Sequence, residues 1–363
     1  MGSSGLTLSN VYRKLSEAEV TLLLRTADRS GTEPPSVAGL RSKPRELFVM
    51  RHRFSGPAIA RRPWVSLVLG WALLCTFTFG CSSALAQSDP PANSASSSVW
   101  NLAKSDPHAL VKAAIDNEIK NSYGRRPPMR YLLNKKTRNT DTTKEIVETG
   151  QGGVAHLVAI QNQPLNATQT QTELQRLQEL ASDPATQQHR HRSEERDTAR
   201  IIAVMRLLPD AFINHFEGSA QAANGTAIRI GFETNPHFSP PTLESRILTG
   251  IRGEIWIDPA DLRVVRVEGH LFRQVDYGWG ILGTLYPGGT ITIEQVKTPE
   301  CGWQLSRLTL NMTGKELMLK SLRVVVDETV TDYHRVPAEW KYTDAITWLL
   351  HNAGNTKLAA NQP

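Results

Sequence analysis

Apolar and polar residues alternate strictly through much of the second half of the chain. In AIRIGFE, Ile228, Ile230 and Phe232 alternate with Arg229 and Glu233, and in GEIWID, Ile255 and Ile257 flank Trp256. A period of two sends neighbouring side chains to opposite faces, so each run predicts a strand with one dry face. After the Asp258-Pro259-Ala260-Asp261 turn, LRVVRVEGHLF places Val265, Val267 and Leu271 on a common face. In WQLSRLTLNM the apolar parity switches between Leu305 and Leu308, which predicts a bulge near Ser306-Arg307. A last strand is expected over residues 322–330.

Other segments carry a helical period. Asp106 caps a helix that Pro107 opens, with Val111, Ile115 and Ile119 along one side. Three short strands follow, RYLLNKK, KEIVET and VAHLVAI, separated by polar or glycine turns. Residues 168–208 then form a helical excursion, broken and recapped at Ser182-Asp183-Pro184, and YTDAITWLLHN makes a final short helix. Many antiparallel strands with helices at both ends and in the middle describe one α+β domain over residues 105–350. A strongly curved antiparallel sheet with covering helices is its natural form, followed by a fraying, disordered tail at 351–363.

The N-terminal part carries an address. Arg51, Arg53, Arg61 and Arg62 precede a 16-residue apolar run from Trp64 to Phe79, and small residues follow in CSSALAQ. Ala84-Leu85-Ala86 has the small-x-small form of a signal-peptidase site with the cut before Gln87, so residues 50–86 are read as a signal peptide. Extended through Ala86, the same run is long enough for a retained signal anchor, and Gly80-Cys81 offers Cys81 as a lipidation site. The chain is thus expected in the periplasm or attached to a membrane of the cell envelope. Export leaders normally begin a protein, so residues 1–49 are read as a mis-assigned or disordered extension ahead of a start at Met50. QSDPPANSASSS opens a Ser/Pro-rich linker over 87–104.

Charge sharpens this division. The 363 residues hold 41 Lys and Arg against 35 Asp and Glu, a formal +6. Residues 1–86 hold 11 cations against 5 anions, and residues 87–363 hold 30 of each. A balanced exported part argues against nucleic acid as partner, because counterion release needs a basic surface. One cation cluster stands out locally: Arg125, Arg126, Arg130, Lys135, Lys136 and Arg138. It is either a contact for an anionic partner such as a membrane surface, or a charged strand edge that resists pairing.

Few residues suggest chemistry. Gly278-Trp279-Gly280-Ile281-Leu282-Gly283 spells G-x-G-x-x-G, yet Pro287 and a β-branched alternation follow, so no helix receives a phosphate and the glycines serve tight bends. His189 and His191 stand two apart on a helix and diverge. After Ala86 the only thiol is Cys301, which removes an internal disulfide and a cysteine-built zinc site. No catalytic residue, metal or cofactor is assigned. Trp256, Phe272, Trp279 and Trp303 are the large aromatics of the strand region and the candidates for lining an acyl-chain cavity.

The strand GEIWIDP, its short turn and LRVVRVEG resemble the Trp-x-Asp-Pro hairpin of the periplasmic lipoprotein carrier (LolA-like), outer-membrane lipoprotein-sorting-like superfamily. The opening helix and basic first strand fit the same layout over about residues 105–335. The resemblance implies a half-barrel whose curved sheet wraps a hydrophobic cavity, non-enzymatic, with the acyl chain of a lipid or lipoprotein as ligand. Two other functions stand beside it: a structural or protein-interaction module of the envelope without ligand, and an enzyme of unrecognised type.

Overall fold

The described chain, residues 92–123, 126–278, 280–317 and 319–353 of a computed structural model, begins with two consecutive helices. They are α1 (Ala92–Ser105) and α2 (Pro107–Tyr123). Most of the segment expected as a linker over 87–104 is therefore α1, whose Val99, Trp100, Leu102 and Ala103 pack against the core. Local composition pointed to a linker; tertiary burial overrides it. Asp106 caps α2 as its sequence predicts, its carboxylate accepting from the Ala109 N–H at 2.9 Å. The leader, including Cys81, Ala84, Ala86 and Gln87, lies outside the described residues, as do Arg125 and Trp279.

Strands β1 (Met129–Thr137), β2 (Asp141–Val147), β3 (Val154–Ile160) and a short β4 (Gln163–Pro164) come next. Helices α3 (Ala167–Ser182) and α4 (Pro184–Ala211) form the excursion, and Asp183 recaps α4 by accepting from the Thr186 N–H. Then follow β5 (Phe212–Ala222), β6 (Gly225–Thr234), a 3₁₀ helix (Glu244–Thr249), β7 (Ile251–Asp258), β8 (Arg263–Leu271), β9 (Val275–Tyr277) and β10 (Gly283–Leu285). The chain closes with β11 (Thr290–Thr298), β12 (Gly302–Glu316), β13 (Lys320–Arg335) and α5 (Tyr342–Asn352). All 13 strands join one antiparallel sheet in the order β4-β3-β2-β1-β13-β12-β11-β8-β7-β6-β5, with β9 and β10 attached at the end of β12. Its two ends, β4 and β5, do not pair, so the curved sheet stays unclosed.

Two bulges set the inward faces. Opposite Glu294 and Gln295 the pairing skips from Arg307 to Leu305, which makes Ser306 the extra residue where the parity switch predicts it. Opposite Trp256 and Ile257 it skips from Arg266 to Val264, leaving Val265 unpaired. Val265 accordingly leaves the face of Val267 and Leu271 and packs with Ala227 and Trp303 on the other side. Simple alternation had put the three together; the bulge separates them.

Helices cover both faces in different places. α1, α2, the second half of α4 and the 3₁₀ helix bury the face that carries Ile228, Ile230, Ile257, Leu308 and Leu310. Val147 and Val154 point the opposite way from Ile146, and they pack with α3 and α5 through Leu177, Ile346 and Leu349. α2 is fixed to the sheet by a buried ion pair. Glu118, with no solvent exposure, accepts from Arg263 Nε at 2.7 Å, from Arg263 Nη2 at 3.0 Å and from the Val264 N–H at 3.0 Å.

α3 is held to β3 by a polar contact. Glu173 accepts from the Leu157 N–H at 2.8 Å and pairs with Arg176, whose guanidinium also donates to the Ala155 carbonyl. Burial opposes the Glu173 charge, but the Arg176 and Leu157 bonds more than offset it and hold the carboxyl below its usual range. Burial of nearby His156 lowers its pKa from the usual 6.5.

Two outcomes are expected. Removing one member of the α2 pair by Glu118→Leu should destabilise the fold by about 3–5 kcal/mol in urea unfolding, and adding Arg263→Met should restore part of that loss. Both shifted groups favour the less protonated form when folded, so stability falls with acid. The His156 contribution is complete above pH 6.5 and declines below it, while that of Glu173 is complete above its usual 4.5 and declines further down. Urea midpoints at pH 7 and pH 5 should therefore differ less in His156→Leu than in the unmodified chain.

Candidate functional site

A cavity of about 350 Å³ lies between the covered face of the sheet and its helices. The floor is aliphatic, from Ile255 on β7, Val267 on β8, Ile291 and Ile293 on β11, and Leu310 and Met312 on β12. Val111 and Ile115 of α2, Ile201, Val204 and Met205 of α4, and Ile247 of the 3₁₀ helix roof it. The space exists because a curved floor departs from straight helices, and at Gly269 the side chains of Ile251 and Ile291 close directly over the β8 backbone. A Cβ there would meet Ile251 Cδ1 at 2.7 Å and Ile291 Cγ2 at 2.8 Å. Its cross-strand partner is Gly253, where a Cβ would run into the Glu268 carbonyl. Paired glycines let β7 and β8 approach and bend.

Polar groups enter the lining sparsely. Asp197, buried on α4, pairs with Arg200 at 3.3 Å, and Arg200 is itself exposed. Exposed Arg200, Leu243 and Lys315 all belong to the lining, so the cavity opens to solvent where they stand. Asn214 of β5 presents a buried Oδ1 that finds no hydrogen-bond partner among the described residues. A carbonyl oxygen only accepts, so an apolar guest carrying one hydroxyl or other donor is better matched than a bare hydrocarbon.

Of the aromatic candidates, Trp256, Phe272 and Trp303 lie elsewhere, which corrects their expected place. Trp256 follows Ile255, which faces the cavity, and therefore points to the opposite face, where Arg266 stacks over it at 5.1 Å and its Nε1 donates to Glu254. Trp303 packs with Val265 and Ala227 on that same face and donates to Asp261 Oδ2 at 2.7 Å. Phe272 is exposed between Arg252 and Arg273. The lining is mostly aliphatic, with Phe212, Phe232 and Tyr277 as its aromatic members, and its signal is the alternation itself: residues flanking a tryptophan on a strand face away from it.

Likewise β1 is no edge strand, since it lies between β2 and β13. Its cations meet carboxylates within the sheet: Arg126 pairs with Glu148 at 3.0 Å, Lys135 with Glu328 at 3.2 Å and Lys136 with Asp141 at 3.6 Å. Arg130 bridges Glu145 and Asp332 and stacks over Trp348 of α5 at 5.2 Å. Arg138 is exposed in the β1–β2 turn. The cluster is thus largely neutralised by its own sheet.

The glycine motif forms the turn between β9 and β10, with Gly278 and Gly280 at φ +56° and +80°, and a strand follows it. His189 is exposed, and His191 lies 3.4 Å from Glu195. Among the described residues no group of three or more His, Cys, Asp or Glu side chains is placed to hold a metal ion.

No protein-family model matches the chain, and no curated protein matches it. Among solved structures it is similar to an outer membrane lipoprotein-sorting protein domain from Vibrio parahaemolyticus, with 10% identity, coverage of 66% of this chain and 97% of that one, and a TM-score of 0.27.

Proposed function

We propose that the domain is a non-enzymatic binding protein of the cell envelope that holds an acyl chain of a lipid or lipoprotein in the cavity between sheet and helices. The observation that carries this reading is the cavity itself: apolar on floor and roof, open to solvent and set apart from the filled core of α3 and α5. A ligandless structural module predicts a packed interior, since cores close to the density of organic crystals. An open apolar space of this size falls instead within the range of small-molecule sites. The export leader supports the envelope as its location, and the Trp-x-Asp-Pro hairpin, which is the β7–β8 turn, supports the carrier resemblance.

Size limits the guest. At roughly 30 Å³ per water-sized group the cavity accepts about a dozen such groups, which suits one chain of moderate length rather than two. About ten methylenes buried at about 0.8 kcal/mol each contribute roughly 8 kcal/mol before ordering costs. Affinity is therefore expected at micromolar or weaker.

Protein purified from its native envelope should yield near-stoichiometric lipid on solvent extraction and mass spectrometry, and emptied protein should take up a fluorescent fatty acid. Val267→Trp, which fills the floor, should lower that uptake at least tenfold with a little-changed melting midpoint. Neither bound lipid nor uptake, in repeated preparations, would overturn the reading.

A further inference from the structure

Three exposed aliphatic side chains lie on joined loops beside the cavity mouth. Leu319 is 91% exposed, Ile281 57% and Leu317 42%. They belong to two loops, the tip between β12 and β13 and the turn between β9 and β10. The loops are joined: Gly283 pairs with Glu316 in the ladder, and the Leu317 N–H donates to the Leu282 carbonyl at 3.3 Å. Leu282 and Leu322, next along each loop, line the cavity, so the apolar tips continue its inner surface outward. Leu317 also holds a left-handed backbone, φ +47°, which a leucine adopts only when its surroundings impose it.

Exposed charge on the β12–β13 tip is positive. The sequence Lys315-Glu316-Leu317-Met318-Leu319-Lys320 sets three successive apolar residues between lysines, and Arg323 follows. Lys315, Lys320 and Arg323 are exposed, whereas Glu316 is buried and paired with Lys320 at 3.3 Å. Asp276 on the neighbouring strand β9 is the one exposed carboxylate there among the described residues, hydrogen-bonded to Thr284 and Gln274, so cations prevail three to one. A protein-binding patch would favour aromatic anchors and disfavour lysine. Aliphatic tips ringed by lysine and arginine instead match a bilayer surface, where a shallow apolar insertion and a basic patch each bind weakly and together bind well.

We propose that this end of the sheet docks onto a lipid bilayer bearing anionic head groups. Ile281, Leu317 and Leu319 enter the interface, and Lys315, Lys320 and Arg323 meet head-group phosphates. The docking stands on these loops alone. Only its consequence, that a chain passes between bilayer and cavity without crossing water, rests on the acyl-chain reading.

Hydrogen exchange on the full chain tests this at the level of single loops, so membrane contact by the apolar leader does not confuse it. With vesicles containing phosphatidylglycerol, amides of 315–320 and 278–283 should exchange at least fivefold more slowly than in solution, and vesicles of phosphatidylcholine alone should give little of this protection. L317S/L319S should abolish the protection and R323E should weaken it, with unchanged melting midpoints and unchanged fatty-acid uptake from vesicle-free solution. Unprotected tips on anionic vesicles, protection that survives L317S/L319S, or equal protection without vesicles at the mass of a dimer would each overturn the docking. Loss of fatty-acid uptake in the unmodified chain, with the tips still protected, would overturn the cavity reading and leave the docking in place.

Discussion

Glu118 ties the covering layer to the sheet, and most of the architecture depends on where it does so. Its carboxylate is fully buried and saturated by Arg263 and the Val264 N–H at the start of β8. One residue earlier, Asn117 donates to the Asp261 and Leu262 carbonyls of the β7–β8 turn. Asp261 in turn accepts from Trp303 and Lys297, which holds β11 and β12 at the same end. A charge taken out of water is tolerable only when it is matched in full, so α2 has one acceptable position across the sheet. With α2 so placed, its Val111 and Ile115 face the floor of the cavity.

α4 completes the enclosure and links the two halves of the sheet. Its first turns grip the glycine loop between β2 and β3: Gln187 donates to the Gln151 carbonyl at 2.9 Å, and Glu194 accepts from the Gly153 N–H at 3.3 Å. Gly152 adopts φ +98° there with Gln187, Glu194 and His191 closely around it. The later turns present Ile201, Val204 and Met205 to the cavity. One 28-residue helix is thus a bolt at one end and a roof at the other. The Gln-rich, charged character of its sequence reflects the first duty, and the aliphatic stripe the second.

Charge follows the same division between local pattern and assembled structure. The cations of β1 looked like a surface feature because sequence shows them without their neighbours. In the sheet, Glu145 arrives from β2, Glu148 from the residue after it and Glu328 from β13, all three buried against the cations they neutralise. Exposed positive charge near the cavity gathers instead at the β12–β13 tip, whose short apolar run is too brief to register as an element. Its meaning lies in exposure, which periodicity does not report.

Periodicity by itself determined most of the longer strands, the helix break at Asp183, the Ser306 bulge and the α+β class, because each depends on residues within a few positions of one another. It also separated Trp256 from its aliphatic neighbours, although large aromatics remained the natural candidates for a cavity. The helical state of residues 92–104, the turning of Val265 to the other face, the interior place of β1 and the existence of the cavity were decided only by tertiary structure. Each of these depends on which distant segments meet: α1 becomes a helix with a buried side because the sheet offers it a face, and the cavity is the volume left when a curved sheet and straight helices, pinned at Glu118, cannot touch everywhere.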